Sequence, residues 1–196
     1  SIDDDTLILN IIEEVPTTEL PCTIKLYQAL PKGDRMETII EKCTELGVSE
    51  VIPVEMKYCV VKLDDKKKAK KVERYQNIAR SAAQQSKRSV IPTISNVISF
   101  KEAVADAAES DIIVVPYENK NGMKETVNVL SSLKSDDVIS VFIGPEGGFA
   151  AEEIESLEAL DKSFVISLGK RILRTDTAAI TSLSMIMLQT EQISIK

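Results

Sequence analysis

"VISVFIGPEGGFAAEEIESL", residues 138–157, orders the rest of the chain around it. The apolar run Val138–Ile143 has the length and β-branched content of a buried strand, and Ala151–Leu160 has helical spacing. Between them the chain breaks at Gly144-Pro145-Glu146-Gly147-Gly148. A glycine-rich turn from a buried strand into a helix is either a tight βα connection or a ligand loop, commonly a phosphate loop. The spacing matches neither G-x-G-x-x-G nor G-x-x-x-x-G-K-[ST]. Glu146, Glu152 and Glu153 suit the positive end of a helix dipole but repel phosphate, so the expected ligand is neutral or cationic.

Working outward, strand and helix signals alternate. Strands are expected at Thr6–Ile12, Thr23–Leu30, Val51–Val54, Asp111–Tyr117, Val138–Ile143 and Phe164–Leu168. Helices are expected at Met36–Leu46, Lys66–Ser86, Phe100–Ala108, Met123–Leu133, Ala151–Leu160 and Thr175–Gln192, with a Ser99/Glu102 capping box opening the third. Near-continuous apolar strands alternating with helices define an α/β fold, a mostly parallel sheet with helices on both faces. The closing helix is apolar on most sides (Ala178, Ala179, Ile180, Leu183, Met185, Ile186, Leu188), more than an end helix needs, and a second subunit would cover the excess.

A second glycine-marked loop, "SLGKRILRTDTAA" (167–179), follows the last strand. Two such loops meet at the carboxyl edge of a parallel sheet, where α/β proteins bind ligands. Lys170, Arg171 and Arg174 stand just before a helix N-terminus that disfavours cations, which hints at an anionic partner. The chain has no histidine, so histidine general bases and Ser-His-Asp or Cys-His pairs are excluded. Three scattered cysteines, Cys22, Cys43 and Cys59, form no metal motif and suit a reducing cytoplasm as buried thiols. Net charge is −7, yet residues 57–88 hold eleven Lys and Arg against three acids, a local +8 that leaves −15 elsewhere. So polarised a chain can offer a basic face to a polyanion or simply a solvated lysine-rich helix. Arg80, Gln84 and Arg88 stand in line at i, i+4 and i+8 along the expected second helix.

Four blocks, "KGDRMETIIEKCTELGV" (32–48), "RYQNIARSAAQQSKRSVIP" (74–92), "IGPEGGFAAEEI" (143–154) and "LGKRILRTDTA" (168–178), closely resemble the RsmE-type family of SPOUT methyltransferases, in the family's order. The resemblance implies a C-terminal deep trefoil knot, bent S-adenosylmethionine as cofactor, a homodimer, and methylation of N3 of a uridine in 16S ribosomal RNA of the small subunit; the missing histidine and the cysteine spacing argue for no metal. The resemblance also implies an N-terminal PUA-like β-barrel, of which residues 1–20 would be the tail and linker, with the methyltransferase domain at 21–196. A start at Ser1 rather than Met points to a longer native chain. Two positions depart from the family pattern: Tyr58 stands where arginine is usual, and Asp176 replaces a glutamate.

Carried onto this sequence, the cofactor site would comprise Val115, Pro116, Ile143, Gly144, Pro145, Glu146, Gly147, Gly148, Leu168, Gly169, Ile172 and Leu173. Arg174 would orient the base or its phosphate. Asp176 would accept the N3 proton, clamp Arg174, or form a purely structural pair with it. Arg80, Gln84, Arg88, Lys170 and Arg171 would face RNA. Competing readings are a SPOUT ribose 2′-O-methyltransferase, a non-catalytic RNA-binding or assembly module, and a flavodoxin-like nucleotide binder; the last conflicts with the carboxylates around the turn.

Overall fold

The computed structural model describes residues 9–193, together with two short strands, β1 (Ile2–Asp3) and β2 (Thr6–Leu7), which pair antiparallel. The strand expected over Thr6–Ile12 is therefore cut short. Residues 9–12 have no pairing partner, Leu9, Ile11 and Ile12 are exposed, and Ile8 lies outside the described residues.

From Thr23 onward the elements run β3 (Thr23–Ala29), α1 (Arg35–Glu45), β4 (Glu50–Glu55), α2 (Asp65–Gln85), β5 (Thr93–Ile94), β6 (Ile98–Ser99) and α3 (Phe100–Ala107). They continue through β7 (Ile112–Pro116), α4 (Lys124–Ser132), β8 (Val138–Ile143), α5 (Ala151–Glu158), β9 (Ser163–Ile166) and α6 (Thr175–Ile193). Seven strands form one sheet in the order β5-β4-β3-β8-β7-β9, with β6 also pairing β4. Every pairing in it is parallel. The two-residue strands β5 and β6 escape periodicity because they are too short to show one.

Alternation along the strands divides the core in two. Ile24, Leu26, Val114, Ile139 and Val141 face α1, α2, α4 and α6, whose Ile39, Ile40, Tyr75, Ala79, Val129, Leu183 and Ile186 fill that layer. Tyr27, Ile113, Val115 and Phe142 face α3 and α5 through Ala103, Ala107, Ile154 and Leu157. Tyr27 stacks on Phe142, with centroids 4.4 Å apart and planes 4° from parallel. Crossovers toward β5 use the first face (α1, α2, α4) and crossovers toward β9 use the second (α3, α5). A single handedness therefore holds throughout, as parallel connections require. Cys22, Cys43 and Cys59 are buried free thiols.

One expected feature moves. α2 ends in a Schellman turn: Arg88 N–H donates to Ala83 O (2.9 Å), Lys87 N–H to Gln84 O (3.3 Å), and Lys87 takes φ +60°. That reversal carries Arg88 out of line with Arg80 and Gln84 and turns it inward, where its side chain is only 5% exposed. Its Nη1 donates to Thr44 O (3.1 Å) and Val48 O (2.6 Å) at the end of α1, and its Nε donates to Glu19 Oε2 (3.1 Å). Glu19 Oε1 accepts from the amides of Ser89 (2.9 Å) and Val90 (3.1 Å). Arg88 is thus the pin between the chain's entry, α1 and the α2–β5 turn, and not part of an RNA face.

Removing one partner of this pair leaves the other buried and uncompensated. Arg88→Ala should cost about 3 kcal/mol in equilibrium denaturation, the lower end of the range because Glu19 keeps some solvent. Partial burial opposes the charge on Glu19, but the Arg88 guanidinium and the two amides win and hold its carboxyl below the ordinary value. Its stabilisation is complete above that ordinary value of 4.5 and is lost as pH falls through the lower folded one. Glu19→Gln should flatten the acid limb of the stability–pH curve.

Candidate functional site

Because β3, β7, β8 and β9 are parallel neighbours, the segments leaving their carboxyl ends converge on one edge. There they enclose a cavity of about 510 Å³, within the range of small-molecule sites. Pro116, Tyr117 and Glu118 line it after β7, residues 143–149 after β8, and residues 167–175 after β9, with Arg35, Asn121 and Ala178 completing the wall. A more voluminous groove between α1 and α2, about 1220 Å³, carries both signs of charge and contains no residue of the glycine loops. The enclosed site is the one at the sheet edge.

Each loop is held by named bonds. Thr175, 5% exposed at the start of α6, donates its hydroxyl to Gly144 O (2.9 Å) and accepts from Gln28 Nε2 of β3 (3.0 Å). The buried Thr126 hydroxyl of α4 donates to Ser167 O (2.7 Å) and accepts from Ser167 N–H (3.2 Å). Glu146 Oε1 accepts from Lys32 N–H (2.9 Å) and Arg35 Nη1 (2.8 Å), tying the glycine turn to the β3–α1 connection. Buried Glu153 accepts from the amides of Lys57 (2.8 Å) and Ala150 (2.8 Å). Gly148 takes φ +73°, and a Cβ there would lie 2.3 Å from Glu118 Oε1. The positive φ is what favours glycine here, since the Glu118 carboxylate sits at the end of an exposed side chain that can swing away. Phe149 closes over the turn beside Gly144 and meets Tyr117 edge-on, centroids 6.4 Å apart.

These contacts correct the charge reading of the turn. Glu152 pairs with Lys57, Glu153 is consumed by two amides, and Glu146 lines the cavity while bonded to Arg35. Partial burial works against the Glu146 charge, but the Lys32 amide and Arg35 prevail and keep its carboxyl below the ordinary range. Glu118, against Gly148, is the cavity carboxylate outside these bonds. By contrast Lys170, Arg171 and Arg174 are exposed in the cavity wall, and none joins an ion pair among the described residues.

Most expected site residues come together here: Pro116, Ile143 through Gly148, Leu168, Gly169, Lys170, Arg171, Ile172, Leu173 and Arg174. Three differ. Val115 is 0% exposed and packs into the α3–α5 layer, because strand alternation points it away from the edge; the wall begins at Pro116. Asp176 is not in the wall and forms no ion pair with Arg174; its Oδ1 is buried without a hydrogen-bond partner. Arg88 is the structural pin described above, while Arg80 and Gln84 stay exposed on α2, outside the cavity. Sequence reasoning missed Gln28, Thr126 and Thr175 as positioning groups and Arg35 and Phe149 as wall. Polar residues inside apolar strands and helices, such as Gln28, are the signal that could have found the first group.

Residues 18–187 match the family model described as an RNA methyltransferase domain. The ribosomal RNA small subunit methyltransferase E of Bacillus subtilis is 42% identical over 176 residues, spanning 88% of this chain and 68% of that protein. The crystal structure of a ribosomal RNA small subunit methyltransferase E from Neisseria gonorrhoeae, bound to S-adenosyl methionine, superposes with TM-score 0.74 at 30% identity. That match covers 87% of this chain and 68% of the other. The Aquifex aeolicus TrmH/SpoU tRNA modifying enzyme, at 14% identity and TM-score 0.53 over 90% of this chain and 79% of its own, shares the fold. A parallel sheet with two loops joined at its carboxyl edge, a match to the RNA methyltransferase domain over most of its length, and these relatives together show that the chain belongs to the ribosomal RNA small subunit methyltransferase E family.

Proposed function

We propose that this protein transfers a methyl group from S-adenosylmethionine to N3 of a uridine in small-subunit ribosomal RNA. One observation carries the reading: the cavity joins a glycine cradle to an unpaired cationic rim, on a chain whose relatives are small-subunit RNA methyltransferases.

The wall fits the cofactor. Pro116, Ile143, Leu168, Ile172 and Leu173 offer apolar surface to an adenine, the backbone of Gly144, Gly147 and Gly148 allows close approach, and Glu118 can face a cationic group. When bound, the cofactor supplies an electrophilic sulfonium methyl; the rest is the work of the chain. Residues 143–149 and 167–175 hold the two loops around it. Lys170 and Arg171 take the RNA backbone, and Arg174 orients the uracil for in-line attack, where alignment supplies most of the rate. With no histidine in the chain, what supports Asp176 as acceptor of the N3 proton is its buried, unused Oδ1. Arg80 and Gln84 extend the RNA contact along α2. α6 returns from the edge strand β9 to pack against α1 and β8, a path that passes the 144–150 loop and supports a knotted crossing. Exposed Ile172 and Leu188 support a homodimer, and residues 1–20 are read as the tail of a PUA-like barrel. Among the described residues no helix is long and apolar enough to cross a membrane and no metal-holding cluster occurs; the protein is proposed to act in the cytoplasm.

Small subunits from a strain lacking the modification, incubated with protein and cofactor, should yield 3-methyluridine by nucleoside mass spectrometry. A 2′-O-methylated nucleoside would shift the reading to ribose methylation, and absence of cofactor binding by calorimetry at millimolar concentration would reject enzymatic function. Gly148→Ala, strained at φ +73°, should weaken cofactor binding about tenfold in the same calorimetry. Arg174→Ala should lower kcat about a hundredfold while cofactor affinity and melting temperature hold. Asp176→Asn should lower kcat while cofactor affinity holds.

A further inference from the structure

Of the eight aromatic residues in the chain, Tyr58 alone is exposed, at 46%. It sits on the β4–α2 connection, far in sequence from the glycine turn but pressed against it: a Cβ on Gly147 would lie 2.9 Å from Tyr58 Cβ. Gly147 lines the cofactor cavity and Tyr58 does not, so Tyr58 backs the glycine turn from outside the wall. Its backbone is fixed from both sides. Lys57 N–H donates to buried Glu153, Cys59 N–H donates to Met56 O (3.1 Å), and Cys59 itself is buried. Lys57 Nζ, held by Glu152, lies 5.7 Å from the ring centroid, the range of a cation–π contact. The cavity wall also carries Lys170, Arg171 and Arg174, none of which joins an ion pair among the described residues.

The ring keeps nearly half of its surface in water although its turn is anchored. With the cations of the cavity wall it makes up the two parts of a single-strand RNA platform: cations hold the phosphates and the π-face takes a base whatever its identity. We propose that Tyr58 is a positioning residue of the RNA site, stacking a base of the substrate strand at the mouth of the cavity. This rests on the RNA methyltransferase reading above. The ring touches neither the transferred methyl nor the cofactor; it lowers KM for RNA and leaves the chemical step alone.

The test uses a fluorescein-labelled oligouridine of about eight nucleotides, the length scale of single-strand sites, and its abasic ribose-phosphate counterpart. Tyr58→Leu keeps the bulk against Gly147 and removes the π-face. It should weaken oligouridine binding roughly tenfold, leave abasic binding and S-adenosylmethionine affinity unchanged, and raise KM for RNA with kcat held. Tyr58→Phe and Tyr58→Trp should behave as wild type. Equal oligouridine affinity for Tyr58→Leu and wild type overturns the platform. So does a parallel fall in cofactor affinity or melting temperature, which assigns Tyr58 to loop packing, or dissociation of an oligomer, which assigns it to a contact between copies. Wild-type protein that binds cofactor but neither oligonucleotide overturns the RNA substrate and the platform together, a result distinct from failure of the platform alone.

Discussion

The hydroxyl of Thr175 joins three segments that are distant in sequence. It donates to Gly144 O at the end of β8, accepts from Gln28 in the middle of the sheet, and opens the last helix. All three groups are buried or nearly so, and a hydrogen bond shielded from water is costly to leave unmade. The two ligand loops consequently keep a fixed spacing although one follows β8 and the other β9, with β7 between the strands. Thr126 repeats the device on Ser167. Gln28 Oε1 stays buried without a partner, so the arrangement is maintained at some cost to stability.

Charge is divided by role. The acids that make the chain net negative act as fasteners: Glu146 to Lys32 and Arg35 and Glu153 to two amides near the site, Glu19 to Arg88 at the opposite edge of the sheet. The cations of the 167–174 loop have no such work. A net charge of −7 is thereby compatible with a surface that attracts a polyanion, since exposed pairs contribute little and what a ligand meets is local potential.

How much of this was legible follows from range. The helices and longer strands came from local periodicity, and their positions shift by only a residue or two. The cavity loops came from glycine spacing and strand ends. Arg88 misled because its position on a helical stripe assumed that the helix continued, whereas Lys87 reverses the chain. Val115 misled because an edge residue and its core neighbour differ only by strand alternation. Thr6–Ile12 has strand chemistry, but an extended segment becomes a strand only where a neighbour accepts its hydrogen bonds.

By itself the sequence determined a parallel α/β sheet, a glycine turn without a phosphate-loop motif, the absence of histidine chemistry, and the cations Lys170, Arg171 and Arg174 beside the second loop. These rest on composition and short-range pattern, which fix backbone preference and side-chain chemistry. Only the tertiary structure decided which groups are free. It bound Glu146 to Arg35, withdrew Arg88 into a buried pair, separated Asp176 from Arg174, and set Tyr58 on Gly147. Whether a polar group is used internally or left for a ligand depends on what the fold brings within about 3 Å of it, and no local pattern carries that distance.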